Sequence, residues 1–256
     1  MSAVRADDRD SGVRVLTLDR PPANAIDETL LTELATALDA ARADDAVRAM
    51  VLTGSGAFFS GGFDFAARRR DDEVALDLYT RYRDAHLKLL TLPKPTVAMV
   101  NGHTIAGGLV LVLACDYRLG LDGNYRVGLN EVAVGASFPR AAFEIVRLRL
   151  PHARVSELIL GAALYPSSHA LRLGVVDELL AADTFADTVL RRAARLGTFP
   201  REAYAHAKAA LVAEAVGRIE AETPEEALQT MSVWITPESR AARAKQREKL
   251  GVRISS

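Results

Sequence analysis

A chain of 256 residues, 49% of them hydrophobic, buries one sizeable core with room for a small appended helical region. Lys and Arg total 32 against 33 Asp and Glu, a formal net charge of -1, which excludes the global basic field of a general nucleic-acid binder. The single cysteine, Cys115, excludes an internal disulfide and, within its apolar run, reads as a small core residue in a reducing compartment.

The amino terminus, MSAVRADDRDSG, is too acidic and polar for a signal or transit peptide. No apolar run approaches the ~20 residues of a membrane span, so a cytoplasmic protein with no membrane partner is expected. The alternation in Val13–Leu18 predicts a half-covered strand, which Arg20-Pro21-Pro22 stops. Asp27 then reads as the N-cap of a helix with a buried stripe at Leu30, Leu31, Leu34, Leu38 and Ala41. A strand over residues 47–53 follows, and strand–helix–strand order implies a parallel pair with a helical crossover.

The next stretch, GSGAFFSGGFDF at 54–65, places Gly54, Gly56, Gly61 and Gly62 at the carboxyl end of that strand, where open α/β sheets hold ligands. It has neither the lysine of a phosphate-cradling loop nor the strand–helix context of a dinucleotide fingerprint. Phe58, Phe59, Phe63 and Phe65 among the glycines suit a backbone close to a ligand with aromatic walls, or else a turn anchored by core phenylalanines. A helix over 73–90 ends before Pro93 and Pro95 and carries His86, expected at the surface. The arginines at 68–70 and 240–247 have acids nearby and read as solvated helix faces.

After a strand at Thr96–Val100 comes NGHTIAGGLVLVLACDYR, in which Gly107 and Gly108 open an apolar helix. The first N–H groups of such a helix lack internal partners and carry the positive end of its dipole. A thioester carbonyl docked there would have its developing charge stabilised by roughly 3 kcal/mol per well-placed donor. Close helix–strand packing is the alternative use of the two glycines. A strand at 115–119 and a turn at Asp122-Gly123-Asn124 lead to YRVGLNEVAVG, residues 125–135. There Glu131, flanked by Leu129, Val132 and Val134, is expected in apolar surroundings that raise its pKa toward the range of a neutral-pH base. A surface or ion-paired glutamate is the alternative.

The remainder reads as structural. Helices are expected over 139–150, 151–160 and 166–173, the last stopped by Gly174, then a short strand over 174–179. Asp183 would cap a helix through 196, another covers 201–216, and 224–250 forms two helices broken near Pro237. Trp234 reads as a buried core residue, with a subunit contact as the alternative. His103, His152, His169 and His206 show no ligand spacing, so no metal is expected.

The runs GAFFSGGFD, VNGHTIAGG and CDYR followed by YRVGLNEVAVG, in this order and separation, resemble the crotonase family of acyl-CoA enzymes over about residues 10–235. The resemblance implies an α/β fold: a spiral of strand–strand–helix turns, a ββα superhelix with two nearly perpendicular sheets, over 1–197. It implies a helical region over 198–256, and a homotrimer or dimer of trimers. The CoA thioester would be the substrate, with no cofactor. The oxyanion hole would be the backbone N–H groups of Phe63 and Gly107. CoA would be bordered by Ser60, Gly61, Gly62, Asp64, Phe65 and Gly108, with Ala23 and Ala25 nearby.

The departure from the family's hydratases is at Val110, where they carry a glutamate in addition to the one matching Glu131. Hydration needs a group to orient and deprotonate water and help in protonating the α-carbon, work two carboxylates share. Moving a double bond from C3 to C2 needs one base. The pattern resembles the one-glutamate, mitochondrial-type Δ3,Δ2-enoyl-CoA isomerases, which implies Glu131 as proton shuttle. The alternatives are a hydratase recruiting Asp64 or Glu144 as second acid, and an acyl-CoA binder with a degenerate site.

Overall fold

The computed structural model describes residues 2–64 and 72–249; Phe65 and the arginines at 68–70 lie outside the described residues. The acidic amino terminus is a strand, which its composition conceals. Val4–Arg9 (β1) pairs antiparallel with Val13–Leu18 (β2), and only Val4 of its six side chains is buried, as suits a strand at a sheet edge. Asp27 caps Glu28–Ala43 (α1) by accepting from the Leu30 N–H at 2.8 Å, and α1 buries the expected stripe. Ala49–Gly54 (β3) then runs parallel to β2.

From here the chain repeats one pattern. Phe58–Ser60 (β4) and Asp72–Leu90 (α2) complete the first turn. Thr96–Val100 (β5), His103–Ile105 (β6) and Gly107–Ala114 (α3) form the second. Tyr117–Leu121 (β7), Arg126–Gly128 (β8) and Arg140–Arg149 (α4) form the third. His152–Gly161 (α5), Tyr165–Pro166 (β9), Ala170–Leu173 (α6) and Glu178–Leu180 (β10) close the core. Within each turn the first strand joins a six-stranded sheet, order β1-β2-β3-β5-β7-β10, and the second a four-stranded sheet, order β4-β6-β8-β9. Apart from the β1–β2 and β8–β9 pairs the strands are parallel, and this is a ββα superhelix. Phe185–Gly197 (α7), Arg201–Glu220 (α8), Pro224–Ser232 (α9) and Pro237–Lys249 (α10) follow. Among the described residues no helix is long and apolar enough to cross a membrane.

Every residue of α3 is buried, so this helix carries no polar stripe and is the axis the other layers cover. Several boundaries differ from the sequence reading. Cys115 ends α3 rather than opening β7, and burial pushes its thiol up to about 12, which leaves it inert. Of the expected 174–179 strand only Glu178 and Leu179 are extended, in β10, and Gly174, at φ 76°, terminates α6 instead. Thr184, not Asp183, holds the N-cap position of α7, without a side-chain bond.

Candidate active site

The loop after β4 is fixed by the chain segment before α1. Asn24 is fully buried at φ 48°, and its side-chain amide donates to the carbonyls of Ser55, Phe58 and Phe59 at 3.0, 2.8 and 3.3 Å. Ser60 Oγ donates to the Asn24 carbonyl at 2.7 Å. Backbone bonds from Gly61 N to Ala23 O, Ile26 N to Gly62 O and Asp64 N to Ile26 O carry the same pairing onward, each at 2.8–2.9 Å. Ala23 is therefore a direct support of the glycine pair, while Ala25 is met through its carbonyl, which accepts from Arg20 at 3.3 Å.

The two glycine pairs interlock. Gly62 sits at φ +84°, and a Cβ there would lie 2.7 Å from Ala106 Cβ and 2.9 Å from Ile105 O. A Cβ on Gly108 would lie 2.5 Å from Ser60 O. The backbones of Gly62–Phe63 and Ala106–Gly107 thus approach as side chains would forbid. Ala106 itself is held at φ 54°, ψ -129°, a conformation costing about 1–3 kcal/mol, and it sets the peptide whose N–H begins α3. As the first helical residue, Gly107 has no acceptor within the helix for that N–H. The close-packing reading of the glycines and the anion-site reading describe the same geometry.

Side chains of α2 and the carboxyl-terminal region wall this place. The Phe63 ring stacks on Tyr82 with centroids 4.9 Å apart and meets Trp234 edge-on at 5.4 Å. Trp234 is half-buried rather than a core residue, and its Nε1 donates to Ser137 O and Oγ at 3.0 and 2.7 Å. His86, expected at the surface, is fully buried. Its Nδ1 lies 2.7 Å from the Tyr82 carbonyl and its ring 3.8 Å from the Tyr82 ring; burial lowers its pKa to about 4, so it is neutral at pH 7. The Gly107 backbone comes near His86, yet Nε2 makes no hydrogen bond among the described residues. Neither Tyr82 nor His86 was singled out as a site residue from sequence. The signal available was their place on one helical stripe with Leu78, Ala85 and Leu89, all buried.

Glu131 follows the loop after β8 and stands at the start of the 3-10 turn Val132–Val134. It is 7% exposed, its Oε2 has no hydrogen-bond partner among the described residues, and burial raises its pKa to about 8 against an opposing effect of its own backbone N–H. Of the neighbours from which its burial was expected, Leu129 and Val134 are buried and Val132 is 48% exposed. Two other acids are committed elsewhere. Asp64 accepts from Arg20 at 2.6 Å, and the two oxygens of Glu144 are held by Arg147 at 3.3 Å and Arg218 at 2.6 Å. Val110 is fully buried in α3. Among the described residues no group of three or more His, Cys, Asp or Glu is placed to hold a metal.

The raised pKa has a consequence for stability. Glu131 keeps its proton in the fold up to about pH 8, whereas the usual carboxyl loses it near 4.5. Stability from this group is therefore full below that lower value and is lost as pH rises through 8. Glu131→Gln should gain on the native chain by up to about 1.4 kcal/mol per pH unit across this window. Thermal unfolding of both at pH 5 and pH 8 checks this; a constant difference would contradict it.

A spiral of this topology, with a loop amide and a helix-terminal amide beside glycine pairs, marks a class of α/β enzymes. The profile of the enoyl-CoA hydratase/isomerase family matches residues 8–249. The "Probable enoyl-CoA hydratase echA17" of Mycobacterium avium is 33% identical over 202 residues, 78% of each chain. The human mitochondrial delta3-delta2-enoyl-CoA isomerase shares the fold with a TM-score of 0.92 over 97% of this chain and 98% of its own, at 24% identity. An Mtb enoyl-CoA isomerase gives 0.79 over 86% of this chain and 95% of its own, at 31% identity. The chain belongs to the enoyl-CoA hydratase/isomerase, or crotonase, family.

Proposed function

We propose that the protein isomerises 3-enoyl-CoA to 2-enoyl-CoA, with Glu131 as its single proton-transfer group. The observation that carries this is a buried carboxyl whose Oε2 has no partner among the described residues and whose pKa is raised to about 8; the resemblance to the family's isomerases, which implies Val110 at the position of a hydratase's second carboxylate, supports it. The ionised Glu131 removes a proton from C2, and the electron pair spreads over C2 to C4 and the thioester oxygen as a dienolate. The amides of Phe63 and Gly107 hold the oxygen's charge. Glu131 returns the proton to C4, leaving the double bond between C2 and C3. A pKa near the working pH suits a group that must both take and give the proton.

CoA lies along Ala23, Ala25, Ser60, Gly61, Gly62, Asp64 and Gly108 in this reading, as substrate rather than cofactor. The assembly is a homotrimer or a dimer of trimers, and the compartment the cytoplasm. Hydration would need a second proton-handling group, and Asp64 and Glu144 are already ion-paired. The name of the Mycobacterium avium relative makes hydration the competing activity to measure. Purified protein should convert 3-enoyl-CoA and hydrate 2-enoyl-CoA at least about a hundredfold more slowly, since one carboxylate does the work of two. Comparable rates would defeat the isomerase reading, and CoA binding without turnover of either would indicate a binder.

A further inference from the structure

We propose that Trp234 is a positioning residue that ties the loop bearing Phe63 to the loop bearing Glu131. In the isomerase reading, on which the roles of those two residues rest, the tie sets the gap between oxyanion amide and base. Trp234 lies in the 3-10 turn Val233–Ile235, between α9 and α10, and its indole touches both loops. The ring meets Phe63 edge-on at 5.4 Å, while Nε1 donates to Ser137 O and Oγ at 3.0 and 2.7 Å. Filling space needs only the ring; the bonds from Nε1 fix how it is turned.

Each contact is passed on to a group of the site. Ser137 closes the stretch that Glu131 opens, and within it Ala136 N donates to Glu131 O at 2.8 Å and Gly135 N to Val132 O at 3.1 Å. Ser137 Oγ in turn donates to Thr230 O at 2.6 Å, so the chain just before Trp234 grips the same residue. On the other side, Phe63 Cδ2 would be 3.8 Å from a Cβ on Gly107, so the ring that Trp234 meets also borders the start of α3. The indole is held at its own backbone as well. Arg243 on α10 donates to the carbonyl of Trp234 and, at 3.1 Å, to that of Gly135. A Cβ on Gly135, which has φ +68°, would lie 2.5 Å from Ser239 Cα, so α10 packs directly on the Glu131 loop. A change in the set of the indole therefore moves Phe63 and Glu131 relative to each other.

Trp234→Phe keeps a ring beside Phe63 and drops both bonds to Ser137. Its kcat for 3-enoyl-CoA should fall about tenfold with KM little changed, because misplaced groups cost rate more than binding. Ser137→Ala, which leaves the carbonyl acceptor, should cost about threefold alone and nothing further in the Trp234→Phe background, since the link is broken once. Losses that multiply would overturn the proposal. So would a native kcat in Trp234→Phe, or a lower melting temperature with kcat retained, which would make the indole structural. Trp234 is the chain's single tryptophan, so its emission reads the link without substrate. Quenching by acrylamide should rise in Ser137→Ala, with the emission maximum moved to longer wavelength; an unchanged spectrum and unchanged quenching would remove the link. Glu131→Gln measured in parallel separates the two ideas: full turnover there sinks the isomerase reading alone. The link is then judged on the emission and on the same kcat pattern for whichever enoyl-CoA the native chain converts, and a chain that converts none overturns both.

Discussion

Glu131→Gln should lower turnover of 3-enoyl-CoA by about a thousandfold while acyl-CoA binding is retained. The amide is close in shape to the carboxyl but takes no proton from C2. Because Glu131 is uncharged in the fold up to about pH 8, the neutral replacement introduces no new buried charge and opens no cavity. The loss should therefore appear in kcat and not in KM. In the native enzyme kcat/KM should rise with pH through about 8 as the base ionises, and this rise should be absent from the variant. Steady-state rates from pH 6 to 9, with calorimetric binding of a saturated acyl-CoA, decide the matter. Residual activity above about a tenth of native would move the base elsewhere.

Gly62→Ala should cost about a hundredfold to a thousandfold in kcat, the loss seen on removing one oxyanion donor. Two effects combine at this position. The left-handed φ of +84° disfavours any side chain, and the new methyl would press on Ala106 Cβ at 2.7 Å and Ile105 O at 2.9 Å. Those atoms lie immediately before Gly107, so the backbone relief displaces the amide of Phe63, that of Gly107, or both. A stability loss of about 1–3 kcal/mol should accompany it. Gly56→Ala is the control, since Gly56 has φ +68° but nothing among the described residues within 4 Å of its Cβ position, and it should lose stability alone. Equal kcat in the two variants would detach the Gly62 loop from catalysis.

Some elements were legible because their causes are local. Asp27 caps α1 through a bond three residues away, and Gly174 stops α6 with its own backbone. The five-residue strand Thr96–Val100 carries enough apolar residues to declare itself. The short strands β4, β6 and β8 do not, because three residues have no extended preference of their own. β4 and β6 exist only as partners across the 44 positions from Ser60 to Thr104, contacts that no window of sequence contains.

The site divides in the same way. The motifs around Phe63, Gly107, Val110 and Glu131 were visible as glycine placement and family resemblance. Which atoms those glycines approach was not. His86 and Tyr82 sit on an amphipathic helix, and only the packing of α2 against α3 turns both residues inward. The burial of Glu131 was predicted from apolar neighbours, one of which, Val132, faces solvent.

By itself, then, the chain determined where helices such as α1 begin and α6 ends, and its motifs around Phe63, Gly107 and Glu131 carried the family resemblance. The tertiary structure alone decided that Glu131 is desolvated, that Asp64 and Glu144 are paired with arginines, and that Tyr82 and His86 are buried close to Gly107. The physical reason is range. Capping and turn conformation act within a few residues, whereas desolvation and charge pairing depend on atoms the chain brings together only when the spiral has closed.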